Sequence, residues 1–220
     1  KPLTLPQGFT LENLRTEWGS KLSLFSPESS PVTVWDSFEW QLWHQDLVLW
    51  SSHGIAHLCK RAGGWIGEEL VRGEMPRHAP RFGSEFKTPA LRERLASLLG
   101  LRGLAPVGEA VFTRRMAELQ NEVGKIVCRF ESLEVSKDLH SKTGLAAYCR
   151  PLPLRGYQSA ARAATEVLAT HGAAPSQEGP LEVVLKASGN IPRPYTLRPK
   201  FGLVWKMPAR VAVGDRKSVV

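Results

Sequence analysis

The sequence has few cysteines and no long apolar run, and each shortage excludes a class of protein. Its three cysteines, Cys59, Cys128 and Cys149, lie far apart, and no metal-ligand spacing connects them. Separated cysteines in apolar surroundings are typical of reduced, buried thiols, which predicts a cytoplasmic protein and not a disulfide-rich secreted one. No apolar stretch approaches the roughly 20 residues that a membrane-spanning helix needs, so we expect no membrane partner.

Basic residues outnumber acidic ones, and this excess restricts the kind of partner that the protein is expected to bind. The chain of 220 residues has 29 lysines and arginines against 21 aspartates and glutamates, a formal net charge of +8. A basic excess of this size favours an anionic partner. Polyphosphate, nucleotides, nucleic acid and lipid headgroups all qualify. A general nucleic-acid binder is the weaker interpretation, because no aromatic-basic recognition motif accompanies the charge.

One segment departs from this basic character. Residues 34–50, "VWDSFEWQLWHQDLVLW", hold four of the seven tryptophans and three acidic residues, but no lysine or arginine. A surface that stacks nucleic-acid bases would interleave its aromatic side chains with cations. We therefore expect these tryptophans mainly to fill space between a sheet and a loop.

Short alternating runs predict an α+β protein with an antiparallel sheet. Strands are predicted at 32–36, 47–52, 55–60 and 145–152, and the clearest hairpin pairs 109–119 with 125–135 around the turn 120–124. Helices are predicted at about 10–18, 89–99 and 157–171. Glycine and proline make residues 61–88 irregular, and "LEVVLKA" at 181–187 is strand-like. We expect one domain over 1–175 and a Pro/Arg-rich tail over 176–220.

The order of these features resembles the CYTH domain, the triphosphate tunnel family. Asp36-Ser37 stands where that family has Asp-Thr at the end of a strand, Leu42 stands at a loop leucine, and 47–49 stand at the start of the next strand. The segments "LRERLASLLGLRGLAPVGEAVFTRR", "GKIVCRFE" and "RPLPLRGYQSAARAATEVLA" are similar to the variant fused to CHAD domains in bacteria. The tail "IPRPYTLRPKFGLVWKMPARVAV" resembles the connector into such a CHAD-like domain.

The resemblance implies a closed antiparallel β-barrel around a tunnel. Active members of the family hold a triphosphate with arginine and lysine, and hold magnesium or manganese with glutamate. This sequence departs from that pattern, because "KPLTLP" and "LAAYCRPL" carry no carboxylate where the family has several. Trp50 and Ser52 also stand where the family has basic residues. Hard cations require several oxygen ligands, so the departures weaken the case for metal catalysis.

Seven cations are the candidate anion-binding residues, and one carboxylate is the candidate metal ligand. Only one of Arg114 and Arg115 can point into a tunnel, because neighbouring strand residues face opposite sides. Their alternative role, with Lys125 and Arg129, is pairing with glutamates on a solvated face. Glu131 is the remaining candidate metal ligand. The predicted anion-binding residues are Lys60, Arg114, Arg115, Lys125, Arg129, Arg150 and Arg155.

Two functions follow from these observations. The first is a binding module, in which a degenerate tunnel holds polyphosphate or another phosphorylated anion with weak or no hydrolysis. The alternative is a divalent-metal-dependent triphosphatase whose Glu-x-Glu-x-Lys strand lies upstream of Lys1.

His53 and His57 are four residues apart, a spacing that would put them on one face of a helix. They fall in a predicted strand and turn instead, so a metal site formed by these two histidines is not favoured.

Overall fold

A computed structural model describes residues 2–139 and 144–192 of the chain. The described part contains one antiparallel sheet with short helices on both sides. Its strands are β1 (Leu3–Thr4), β2 (Leu22–Leu24), β3 (Glu28–Asp36), β4 (Leu47–Ser52), β5 (Ile55–Ala62), β6 (Trp65–Glu74), β7 (Ala105–Gln120), β8 (Ile126–Ser136), β9 (Ala146–Pro153) and β10 (Ala174–Pro175).

The described α-helices are α1 (Arg15–Trp18), α2 (Pro89–Leu99), α3 (Gln158–Thr170) and α4 (Pro180–Ala187). The first three lie close to where helical spacing and capping signals predict them. The predicted helix at 10–18 is a 3₁₀ turn, Leu11–Leu14, that continues into α1. Pro89 occupies the first turn of α2 and Gly100 follows its last residue, the positions that each residue favours. None of the described helices is long and apolar enough to cross a membrane.

The sheet has the strand order β10-β1-β9-β8-β7-β3-β4-β5-β6, and β2 pairs separately with β7. All its pairings are antiparallel. The antiparallel sheet and its flanking helices are confirmed. A closed barrel is not established, because in the described residues the sheet has two ends, β10 and β6.

One face of the sheet curves around α4, and we call it the inner face. Strands β3, β4, β5, β7, β8 and β9 all contribute side chains to a single buried cluster with this helix. Leu181, Val184 and Leu185 of α4 are almost completely buried there. The backbone N–H of Leu181 donates to the carbonyl of Gly64 (3.0 Å), which fixes the start of α4 against the β5–β6 turn.

The opposite, outer face is covered by the other helices. Leu91, Leu95 and Leu99 of α2 pack on one half of the sheet. Ala164 and Leu168 of α3 pack on the other half, together with the N-terminal helical turns. Because both faces are covered, the central strands bury side chains that point to either face of the sheet.

The tryptophan-rich segment is organised around a buried carboxylate. Asp36 accepts hydrogen bonds from the backbone N–H groups of Ser37 (2.7 Å), Leu42 (2.9 Å) and Trp43 (2.9 Å). The loop that these bonds shape places Trp40 and Trp43 against the inner-face cluster around α4. The expected structural role of the segment agrees with this packing, although Trp50 also lines a cavity described below.

An Asp36→Ala variant is expected to lower the free energy of unfolding by about 2 kcal/mol, because three backbone donors lose a charged acceptor in a buried site. Urea denaturation measures the change. The control is Glu93→Ala, at an exposed position of α2, which is expected to change stability little. Equal stability of the two variants would contradict the role assigned to Asp36.

Two predictions from local sequence are wrong. Residues 61–88 contain the ten-residue strand β6 and are not irregular throughout. "LEVVLKA" forms the helix α4 and not a strand. The predicted division between 1–175 and 176–220 stays a prediction, with α4 in the second segment. Residues 193–220, which include most of the segment that resembles the connector, lie outside the described part.

Candidate functional site: an arginine-lined cleft on the inner face

Residue alternation along β7 separates the two neighbouring arginines. Arg114 shares the inner face with Phe112, whereas Arg115 lies on the outer face. There the Arg115 guanidinium donates from Nη1 to Glu12 Oε1 at 2.6 Å. Arg114 is therefore the one of the pair that reaches the inner face, and Arg115 does not reach it.

Three charged side chains cross the inner face side by side. Glu131 on β8 is directly opposite Arg150 on β9, and Arg114 reaches it from β7. Arg114 Nη2 donates to Glu131 Oε1 at 2.9 Å, and Arg150 Nη2 donates to Glu131 Oε2 at 2.6 Å. The two guanidinium groups thus face the inner side of the sheet with one carboxylate between them.

The same row of charges continues along the strands. Glu118 of β7 is opposite Arg129 of β8, and Arg129 Nε donates to Glu118 Oε1 at 2.8 Å. We call Arg114, Glu118, Arg129, Glu131 and Arg150 the charged ladder. It contains three arginines and two glutamates, so the positive charge in excess is small.

The surroundings of Glu131 keep it ionised. Burial alone would raise the pKa of this carboxyl, but hydrogen bonds and charge from Arg114 and Arg150 outweigh burial, so its pKa lies below the usual range. Each guanidinium has five N–H donors, and each uses one on Glu131. The side chains of Arg114 and Arg150 are about half exposed, at 54% and 45%, which leaves donors for a ligand.

Two adjoining cavities lie beside the ladder, and together we call them the cleft. The first has a volume of about 300 Å³, and the second about 400 Å³. Arg114 and Trp50 line both cavities, and Pro180 of α4 lines the first. The first is lined by Trp50, Trp65, Ile66, Phe112, Arg114, Glu131, Leu133, Tyr148, Cys149, Arg150 and Pro180.

Aromatic side chains line the cleft together with the arginines. Trp65 meets Tyr148 edge to face, with ring centroids 5.0 Å apart. Trp50 stacks on His57, with centroids 4.4 Å apart and planes 14° from parallel. Burial, with the charges of Glu178 and Glu182, raises the pKa of Tyr148 to about 12. Its hydroxyl is therefore neutral at physiological pH.

Sequence reasoning missed a histidine–glutamate pair in the second cavity. His57 of β5 lines that cavity, and its Nδ1 is hydrogen-bonded to Glu69 Oε2 of β6. The pairing depends on β6, which local sequence did not predict. One signal was available. Trp50 and Ser52 stand where the family resemblance places tunnel residues, and both line this cavity.

The other predicted cations lie away from the cleft. Lys60 is exposed and pairs with Glu68 at 3.1 Å. Lys125 is exposed near the β7–β8 turn, with its Nζ 5.6 Å from the centroid of the Tyr157 ring. Arg155 is exposed in the segment between β9 and α3. Of the seven predicted cations, the structure brings Arg114, Arg129 and Arg150 together on the inner face.

The described residues around Glu131 do not fit a magnesium or manganese ion. Both oxygens of this carboxylate already accept from arginine. Within residues 2–139 and 144–192, no group of three or more His, Cys, Asp or Glu side chains is placed to hold a metal. A hard divalent cation needs several oxygen ligands, and guanidinium groups repel it.

A Glu131→Gln variant is expected to change the dependence of stability on pH. Because the folded-state pKa of Glu131 is lowered, its ion pairs stabilise the protein above the usual value of 4.5 and are lost as pH falls below it. The free energy of unfolding of the wild type should exceed that of the variant by about 1 kcal/mol near neutral pH. This difference should shrink toward zero in acid. Urea denaturation across this range measures it.

The control for that measurement is Glu134→Gln. Glu134 is on the same strand but on the outer face, exposed and with no ion pair in the described part of the chain. Its replacement is expected to leave the pH dependence unchanged. A loss of the same size from both variants would show that the arginine contacts of Glu131 do not stabilise the fold.

Comparison with known proteins supports the fold. No protein-family model and no curated protein matches the sequence. A solved structure from Hippeastrum, HpAC1, described as an adenylyl cyclase with a dominant triphosphatase activity, aligns with a TM-score of 0.56 and 14% identity over 86% of this chain and 95% of its own. This similarity shows a shared fold and supports the CYTH-type architecture.

Two further solved structures align over most of the chain at lower scores. One is an adenylate cyclase-like protein from Bacillus halodurans, with a TM-score of 0.41 and 14% identity over 81% of this chain and 92% of its own. The other is the PH1819 protein from Pyrococcus horikoshii, with a TM-score of 0.38 and 10% identity over 85% and 99%.

Proposed function

We propose that this protein binds polyphosphate or another phosphorylated anion in the inner-face cleft, with little or no hydrolysis. The observation that carries the proposal is the placement of Arg114 and Arg150 on either side of Glu131, beside a cavity of about 300 Å³. Guanidinium groups bind phosphate oxygens through paired, charge-assisted hydrogen bonds. The triphosphatase activity ascribed to the Hippeastrum protein, which shares the fold, supports only the phosphate-binding part of the proposal.

Glu131 has a defined part in this proposal. It holds both arginines in place while no ligand is present, since each of its oxygens accepts from one of them. An incoming phosphate group would use the remaining N–H donors of the same guanidinium groups. Glu131 therefore orients the two cations, and its own charge limits how tightly an anion can bind.

Weak hydrolysis follows from the same geometry. Contacts that bind the ground state and the transition state equally well do not accelerate a reaction. The arginines can hold phosphate charge, but the described residues do not supply the carboxylate cluster that would position a metal and an attacking water. The CHAD-like partner domain, and a connector to it within 176–220, belong to this proposal as expectations from the sequence.

Isothermal titration with tripolyphosphate at low salt tests the proposal directly. Binding is expected, and it should weaken as salt rises, because screening reduces attraction between exposed charges. In parallel, phosphate release is measured with magnesium or manganese present. Binding without release supports the proposal, absence of binding overturns it, and rapid metal-dependent release favours the alternative triphosphatase.

A further inference from the structure

His57 lies in the second cavity of the cleft, and its ring is held in one position. One face of the ring stacks on Trp50, at 4.4 Å between centroids. Its Nδ1 is hydrogen-bonded to the Glu69 carboxylate. Only 16% of the side chain is exposed. A ring fixed by a carboxylate on one nitrogen and by an aromatic stack on one face presents its other nitrogen in a set direction.

The hydrogen bond to Glu69 decides which nitrogen of neutral His57 carries the proton. A carboxylate accepts hydrogen bonds, so the N–H of the neutral ring lies at Nδ1. The Nε2 atom is then a bare acceptor. Within the described residues no hydrogen bond to Nε2 is formed, and this atom is not among the buried polar atoms that lack a partner. It is therefore accessible to solvent, on a side chain that lines the second cavity.

Protonation reverses what Nε2 can bind. The lone pair on neutral Nε2 repels phosphate oxygen, whereas the N–H that appears there on protonation donates to it. Histidine is the side chain whose charge changes between about pH 5 and pH 8.

Other charges face the same cavity. On β6, Arg72 Nε lies 4.0 Å from Glu69 Oε1, so part of that carboxylate charge is shared. His53 in the β4–β5 turn and Glu28 on β3 also line the cavity. Arg114 lines it from β7 and is opposite Glu28 in the strand register. His53 is therefore the neighbouring histidine that a test must separate from His57.

We infer that His57 is a proton-controlled ligand of the cleft, which donates from Nε2 to a phosphate oxygen when protonated and opposes anion binding when neutral. The inference rests on the proposed function. Arg114 lines both cavities, so an anion held by Arg114 can extend toward His57. Affinity for the anion then rises as pH falls, and by reciprocity the bound anion raises the affinity of His57 for its proton.

The test compares wild type with His57→Gln in titrations with tripolyphosphate at about pH 5.5 and about pH 8, on either side of the range where histidine changes charge. Tripolyphosphate also titrates, but this affects both proteins equally and cancels in the ratio of their affinities. At the lower pH, wild type is expected to bind about tenfold more tightly than the variant, because the variant lacks one charge-assisted hydrogen bond. At the higher pH, where His57 is neutral, wild type is expected to bind no more tightly than the variant.

Two more variants complete the test. His53→Gln, the matched control in the same cavity, should keep the wild-type pH dependence. Glu69→Gln keeps His57 but removes the carboxylate that is hydrogen-bonded to its Nδ1 and fixes the ring, so the pH dependence of binding should change. This second variant also tests the inference if His57→Gln does not fold.

The outcomes are distinct. If wild type binds but its affinity ratio to His57→Gln is the same at both pH values, the inference is overturned and the proposed function stands. The inference also fails, with the proposed function intact, if His53→Gln removes the pH dependence or if Glu69→Gln leaves it unchanged. If wild type does not bind tripolyphosphate at the lower pH and low salt, both are overturned.

Discussion

Replacing Arg114 and Arg150 together by alanine is expected to weaken tripolyphosphate binding by roughly a hundredfold. Each guanidinium is about half exposed beside the cleft and has donors beyond the one that it gives to Glu131. A hydrogen bond to a charged group contributes about 1.5–3 kcal/mol, and every 1.4 kcal/mol is about tenfold in affinity. Each single replacement should therefore cost about tenfold, measured by titration calorimetry.

The double variant also leaves Glu131 without its partners, which would add repulsion toward an anion. Introducing Glu131→Gln into the double variant removes that repulsion, and any recovered affinity measures it. In the wild-type background, Glu131→Gln alone should leave affinity unchanged or raise it slightly. These changes separate loss of donors from gain of uncompensated negative charge.

The matched control removes the same two charges elsewhere. Arg94 on α2 and Arg162 on α3 are exposed on helices that cover the outer face. Alanine at both positions keeps good helix-forming residues and changes only net charge. We expect this control to show a small loss of affinity for tripolyphosphate, and we expect that loss to disappear with added salt. If this control weakens binding as much as the cleft variant, attraction is general and the cleft is not the site.

Replacing Leu181 by alanine is expected to lower the free energy of unfolding by about 3 kcal/mol, within the range for a fully buried leucine. Leu181 is inaccessible to solvent, and it belongs to the cluster formed by six strands and α4. The lost methyl groups leave a cavity that the surrounding strands cannot easily close. Urea denaturation, followed by tryptophan fluorescence, measures the change.

Tryptophan emission suits this experiment because Trp40, Trp43, Trp50 and Trp65 all pack against the same cluster. The control is Leu101→Ala, which makes the same chemical change at a side chain that is 96% exposed. Its expected effect is within about 0.5 kcal/mol. Similar stability of the two variants would show that α4 does not pack on the inner face.

The sequence predicted most of the sheet because its strands alternate in polarity and are bounded by turn residues. The strand β6 was not predicted, because Gly67 and Gly73 within it and Gly64 just before it are residues typical of loops. These glycines allow close packing: a Cβ at Gly73 would come within 2.6 Å of the Thr88 side chain, and one at Gly64 within 2.6 Å of Gly179. Such tertiary reasons for glycine leave no local signal.

The prediction for the residues of α4 was wrong for a different reason. Val183 and Val184 favour strands, and a helix of eight residues is not stable alone. Its N-terminal Pro180, its first-turn Glu182 and its last-turn Lys186 were helix signals, but burial on the inner face is what stabilises it. Local propensity could not have decided between the two structures.

The sequence predicted only the part of the candidate site that depends on the alternation of side chains along one strand. Alternation required Arg114 and Arg115 to face opposite sides, and the structure places Arg114 on the inner face. The contact of Arg150 with Glu131 depends on the β8–β9 register, and that of His57 with Glu69 depends on β6. The register between two paired strands leaves no periodic pattern within either strand, so these contacts required the three-dimensional structure.

The position of α4 has a consequence for ligands of different length. Pro180 lines the cleft, and the rest of the helix fills the inner face beyond it, so the cleft is closed at that end. If the cleft binds a linear polyanion as proposed, α4 would prevent the chain from threading past it, and a chain terminus would be the part that reaches the first cavity. Such a site would respond to the number of chain termini and not to the number of phosphate units. At equal total phosphate, preparations of short chains would occupy more protein than preparations of long ones.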